Sequence, residues 1–241
     1  AYGNLGLVLH ELGDSAGAKA AYRQACALKP ALAAPWFNLG NLLRDAGTVE
    51  DAIAAYREAL NREELPEARH NLAEALVSTG DLEGSLPHFR EALRARADDA
   101  GLWHRLGTTL QTLGEIDESI ACLHRAVSLQ PAFAEAWNDL GNSVKTADRA
   151  AEAVLCFERA LAANPELVEA LNNLGGVLSN LGRDTEALAA FDRALFLRPG
   201  CPEVLLNLGI LQKKREAAGA AEASFRAALA ARPDFAQAFN N

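Results

Sequence analysis

Small and apolar residues recur along this chain in fixed columns. A small residue returns at Gly6, Gly40, Ala73, Gly107, Gly141, Gly175 and Gly209, in steps of 34, 33, 34, 34, 34 and 34 residues. Leucine precedes it every time, from Leu5 to Leu208. A bulky residue stands four positions before it at Tyr2, Trp36, Trp103, Trp137, Leu171 and Leu205, with Arg69 the exception. Leu9, Leu43, Leu76, Leu110, Val144 and Leu178 follow three positions after it. This i, i+3, i+4, i+7 pattern is one face of an α-helix. The small residue inside that face predicts the close approach of a second helix.

That second helix has its own columns. Ala18, Ala52, Ser85, Ser119, Ala153, Ala187 and Ala221 open it. An aromatic or Leu follows at Tyr22, Tyr56, Phe89, Leu123, Phe157, Phe191 and Phe225. Alanine closes it from Ala25 to Ala228. Gly13, Gly47, Gly80, Gly114 and Gly182 mark a turn between the two helices. Pro30, Pro131, Pro165, Pro199 and Pro233 mark the end of the second, because proline cannot continue a helix. No stretch alternates with period two, so no strand is expected. The chain divides into units at about 1–32, 33–65, 66–99, 100–133, 134–167, 168–201 and 202–235, with an eighth beginning at 236–241. It reads as one continuous array and as a fragment of a longer protein. The second unit is one residue short, so an altered junction is expected near Asn61–Glu67. The fifth unit replaces the turn glycine with Ala147-Asp148. The seventh carries Glu216 there, so its first helix is expected to run on, or its turn to slide towards Gly219.

These columns resemble the tetratricopeptide repeat family. The resemblance is carried by Trp36, Leu39-Gly40, Gly47, Ala52, Tyr56 and Ala59, and by Trp137, Leu140-Gly141, Ala153, Phe157, Ala160 and Pro165. It covers the whole chain and implies an all-α, right-handed α-solenoid superhelix of antiparallel helix pairs. In a solenoid each unit buries its apolar face against its neighbours, and the resulting surface is usually a binding surface.

Composition narrows the partners. The net charge of −9 argues against nucleic acid, whose backbone calls for clustered Lys and Arg. The apolar stretches are too short for a membrane span. Cys26, Cys122, Cys156 and Cys201 show no metal or disulfide spacing. They read as free structural thiols in a reducing, cytoplasmic setting. Five histidines form no metal motif, and His70 and His104 read as surface residues of successive units. Neither a metal nor a cofactor is expected. No phosphate-cradling loop or nucleophile–base pair stands out, so no enzyme is expected within the chain.

The candidate site is the face of the first helices turned away from the core. Two positions after the bulky column, roughly 160–200° from the core face, stand Asn4, Asn38, Asn71, Arg105, Asp139, Asn173, Asn207 and Asn241. Asparagine is a mediocre helix former, so its recurrence needs a reason. One is inheritance by duplicated units, with the amide bonding a neighbouring helix or tolerating water. The other is a ladder of carboxamides gripping peptide main chain, since each amide offers a donor and an acceptor. On this second reading the amides are expendable for folding. Arg105 and Asp139 then form a charged patch in a neutral track, or bridge each other. Asn41, Asn142, Glu74 and Thr108 add inward positions, and Phe37 at the groove edge is a candidate anchor. Glu67, Glu135, Glu169 and Glu203 recur at helix starts, where they suit the helix dipole.

The ladder resembles the superhelical arm of O-GlcNAc transferases, which implies a groove holding extended polypeptide. The chain is thus expected to be a protein- or peptide-binding scaffold, or the substrate-presenting arm of such a glycosyltransferase, with its catalytic domain elsewhere. A third reading is self-assembly into a homo-oligomer. The family's carboxylate clamp is the competing use. Asn41, Asn71 and Arg105 fill clamp-like positions, but Phe37 and Gly101 stand where its lysines belong, so an acidic tail would be poorly neutralised.

Overall fold

A computed structural model describes residues 1–233. Asn241 and the start of an eighth unit at 236–241 lie outside the described residues. Fourteen α-helices run through the described part. They are α1 (Tyr2–Glu11), α2 (Ser15–Leu28), α3 (Ala33–Asp45), α4 (Val49–Leu60), α5 (Pro66–Ser78), α6 (Leu82–Ala95), α7 (Ala100–Leu113), α8 (Ile116–Leu129), α9 (Ala134–Thr146), α10 (Ala150–Ala163), α11 (Val168–Asn180), α12 (Asp184–Leu197), α13 (Pro202–Lys214) and α14 (Ala218–Ala231). No strand occurs among the described residues. None of these helices is long and apolar enough to cross a membrane.

The helices fall into two compact units, Ala1–Gly114 and from Glu115 onward. In the first, α1 packs on α2, α3 on α4 and α5 on α6. Each second helix also packs on the first helix of the next pair, and α1, α3 and α5 touch in sequence. In the second unit α9 and α10, α11 and α12, and α13 and α14 pair the same way, with α9, α11 and α13 in sequence. Each unit is therefore an α-solenoid whose first helices form one layer and whose second helices form another.

The small column positions the layers. The aromatic of α2, α4, α10, α12 and α14 lies under the column glycine of its own pair, and Tyr22, Tyr56, Phe89, Phe157 and Phe191 are fully buried. A methyl added at Gly40 would sit 2.6 Å from the Tyr56 ring, and one at Gly141 or Gly175 would sit 2.6 Å from Phe157 or Phe191. Glycine is required there because the ring fills the space of a side chain. Cys26, Cys122, Cys156 and Cys201 are all buried free thiols, and burial pushes Cys156 up to about 11.

The pattern breaks resolve simply. The turn glycines at 13, 47, 80, 114 and 182 all have positive φ. In the short second unit α4 has 12 residues where α2 and α6 have 14. The loop to Pro66, which opens α5, is one residue longer than that between α2 and α3, leaving the unit one residue short. In the seventh unit neither expected change occurs. Helix α13 stops at Lys214, Glu216 adopts φ 58°, and Gly219 lies inside α14. The turn keeps its column because the two flanking faces must stay in register, and Glu216 absorbs the left-handed geometry at a cost. Asp148 does the same at φ 59°, more easily, since its short polar side chain tolerates that region. Glu216→Gly is therefore expected to raise stability by about 1 kcal/mol. A urea midpoint that falls would contradict this.

Candidate functional site

The ladder positions sit on the first helices, α1, α3, α5, α7, α9, α11 and α13. Asn38, Asn71, Arg105, Asp139, Asn173 and Asn207 are half-buried, and Asn4 is exposed. Most of them are tied to a neighbouring repeat. In the first unit Asn71 Nδ2 donates to Asn41 Oδ1 at 2.8 Å. In the second, Asn173 Nδ2 donates to Asn138 Oδ1 at 3.0 Å and Asn207 Nδ2 to Asn172 Oδ1 at 2.9 Å. Each bond joins a first helix to the first helix before it. Asn138 also donates to Asp139 at 3.2 Å.

These bonds give the amides a direction. Asn71, Asn173 and Asn207 commit their NH2 groups to the fold and keep Oδ1 as an acceptor. Asn41 and Asn172 commit Oδ1 and keep their NH2 groups, whereas Asn138 commits Oδ1 and also donates to Asp139. Asn172 and Asn173, adjacent in α11, thus present one donor group and one acceptor side by side. Two cavities open along this face of the second unit. One of about 480 Å³ is lined by Asn138, Asn142, Asn172 and Asn173. Another of about 330 Å³ is lined by Lys145, Asn172, Asn173 and Asn207. The ion pairs Arg198–Glu169 (2.9 Å) and Arg232–Glu203 (2.7 Å) edge the first of them.

The other expected site residues have more local duties. Arg105 forms a two-pronged pair with Glu74, with Nε to Oε1 at 2.5 Å. Burial works to raise the Glu74 carboxyl, but bonds from His70 and Arg105 outweigh it and hold it below the usual range. The Arg105 charge is therefore neutralised by the preceding repeat. Asn41 accepts from Tyr56 OH, at 2.8 Å, as well as from Asn71. Asn142 accepts from Lys145 Nζ at 3.4 Å. Phe37 packs on the buried cluster with its ring 6.1 Å from that of Tyr56. His70 is half-buried, its ring 6.5 Å from Phe89. Glu67, Glu135, Glu169 and Glu203 all lie in first turns, as the dipole reading expects; the Arg partners of the last two were not anticipated.

Sequence reasoning missed Asn138 and Asn172. Their signal was the doubled polar pairs Asn138-Asp139 and Asn172-Asn173, where one position serves the groove and the other receives the next repeat.

Among the described residues two buried side-chain polar atoms lack partners, Tyr22 OH and Trp36 Nε1, and both have a cause. Tyr22 is the counterpart of Tyr56, but Leu7 stands where Asn41 would accept its proton. Trp103 and Trp137 donate to the carbonyls of Ala97 and Pro131, each at 2.9 Å. The matching carbonyl for Trp36 is Pro30, and Arg62 bonds to it instead, lying 4.9 Å over the Trp36 ring. The tyrosines should respond differently to loss of the hydroxyl. Tyr56→Phe is expected to cost about 1 kcal/mol, whereas Tyr22→Phe removes an unsatisfied group and is neutral or stabilising. Equal losses in thermal denaturation would contradict the assignment.

Comparison with known proteins fits this architecture. A tetratricopeptide repeat model matches residues 37–100 and 139–202, more than half of the chain. A TPR repeat model matches 6–43, and a further tetratricopeptide repeat model matches 100–133. The chain matches no curated protein. Among solved structures, YrrB, described as a TPR protein with an unusual peptide-binding site, superposes with a TM-score of 0.68 at 25% identity, over 76% of this chain and 95% of that one. PilF of Pseudomonas aeruginosa gives 0.69 at 20% identity, over 82% and 90%. The C-terminal part of a TPR repeat-containing protein from Cytophaga hutchinsonii gives 0.77 at 12% identity, over 96% and 95%.

Proposed function

Because the chain belongs to the tetratricopeptide repeat family, we propose that it is a scaffold holding an extended polypeptide along the face of its first helices. The observation that carries this reading is the polarised ladder. An extended strand offers N–H and C=O groups alternately. The ladder offers acceptors at Asn71, Asn173 and Asn207 and donors at Asn41 and Asn172, with Asn142 NH2 beside the larger cavity of the second unit. Main-chain recognition of this kind is indifferent to side-chain sequence. The likeness to YrrB, a protein described as having a peptide-binding site, supports the same reading. With Arg105 held by Glu74, the groove there favours no net charge on the ligand.

The substrate-presenting arm of a glycosyltransferase is the narrower form of this reading. It uses the same neutral stretch at Asn173 and Asn207. The test is a chain in which Asn38, Asn71, Asn173 and Asn207 are all alanine, with folding checked by circular dichroism. Peptide or partner capture is expected to fall at least about tenfold. Undiminished capture by the folded variant would sink the ladder.

A further inference from the structure

The ladder amides are of two kinds. Asn71, Asn173 and Asn207 are tied to the first helix before theirs, whereas Asn38, which also has such a neighbour in α1, makes no such bond. Asn38 and Asn4 line a single cavity of about 460 Å³ between the start of α1, the end of α2 and the start of α3. The rest of its lining is mostly apolar, including Leu7, Leu28 and Leu32, and Lys29 is its one side chain charged at neutral pH.

Leu7 and Gly3 explain the difference. Leu7 occupies the position that Asn41 holds one repeat later, and Asn41 is the acceptor for both Asn71 and Tyr56. With leucine there, and Gly3 at the position from which Asn138 and Asn172 accept in later repeats, the Asn38 amide has nothing to bond, and the buried Tyr22 hydroxyl is left unpartnered. A polar junction has been exchanged for an apolar floor flanked by the whole carboxamide of Asn38. It keeps both its donor and its acceptor for a ligand.

We propose that this cavity anchors a bulky apolar side chain of an extended peptide, with an acidic side chain of the same peptide beside Lys29. The proposal rests on the peptide-holding reading above. Asn4 and Asn38 pair with the main chain on either side of the anchor, and the leucines bury the side chain. Lys29 makes no ion pair among the described residues, so its charge is available to the ligand. The volume lies within the ~300–1,000 Å³ of small-ligand sites.

The test is selection of a randomised nonapeptide phage library on the immobilised chain. Selected peptides are expected to combine Phe, Leu, Ile or Trp with a nearby Asp or Glu. Their affinity should fall at least about tenfold on Leu28→Asp, and Lys29→Glu should shift the preference from acidic to basic neighbours. Leu28 is 63% exposed, so its replacement leaves the fold intact. Leu7→Asn supplies the missing acceptor. It should hold or raise the urea midpoint while lowering affinity, a split that simple misfolding does not produce. Peptides that lose affinity on Asn173→Ala but ignore Leu28→Asp, Lys29→Glu and Leu7→Asn would overturn the anchor and leave the ladder standing. If no peptide is selected, both fall. A self-associated state in sedimentation that Leu28→Asp dissolves would assign the cavity to a second copy and overturn the proposal.

Discussion

A Gly141→Leu chain is expected to lose about 3 kcal/mol of stability. A Cβ at residue 141 would stand 2.6, 2.8 and 2.9 Å from three ring atoms of Phe157. Phe157 is fully buried, so its ring has no solvent to swing into. A single methyl is survivable. Ala73 holds this column in the third repeat, where Phe89 is equally buried, so the fold admits a methyl at this position. Leucine adds three carbons beyond that methyl, and they must displace the ring or part α9 from α10. The second outcome would also strain the packing of α9 on α11, so the effect should spread to neighbouring repeats. Phe157→Leu in the same chain should return part of the loss, because it removes ring volume at the point of contact. A double-mutant cycle in urea checks this. An unchanged midpoint for Gly141→Leu, or strict additivity with Phe157→Leu, would show that the two residues do not meet.

Removing the ladder amides should also destabilise the fold, and unevenly. Asn173→Ala leaves Asn138 Oδ1 without its donor at a residue only 9% exposed, which costs about 1–3 kcal/mol. Asn71→Ala leaves Asn41 with its Tyr56 bond, and Asn207→Ala leaves a half-buried Asn172 that water can reach. Each should cost about 0.5–1 kcal/mol. Asn38→Ala breaks no bond and should cost nothing measurable. The four-alanine chain then loses about 3 kcal/mol in total, most of it at residue 173. Single-variant denaturation curves that fail to rank Asn173 first and Asn38 last would contradict the bonding scheme. This replaces the expectation that the amides are expendable. Binding assays on the combined variant therefore belong well below its melting temperature.

The columns made the fold legible because each names a packing event. Gly141 is small because Phe157 is large, and both repeat at the same step. The ladder was legible as a column of asparagines. Its meaning was divided, because a helix-facing angle locates a side chain without naming its neighbour. Whether Asn173 meets water or Asn138 depends on how far apart α9 and α11 stand, and that distance is written in the core columns. The same limit hid the Glu74 partner of Arg105, which lies 31 positions earlier in the chain. Glu216 was misjudged for a different reason. Local preference argued for moving the turn to Gly219, but the packing of α13 on α14 held it in place.

All three tyrosines of the chain, Tyr2, Tyr22 and Tyr56, lie in the unit that ends at Gly114, with Trp36 and Trp103; Trp137 alone lies beyond it. Tyrosine therefore marks the first unit alone, while tryptophan is shared between the two. Ultraviolet absorbance of the tyrosines reports melting of the first half alone. In a Trp36→Phe, Trp103→Phe chain, indole emission reports the second. Whether the array melts as one body or in stages can thus be read from two wavelengths of light, without attaching a probe.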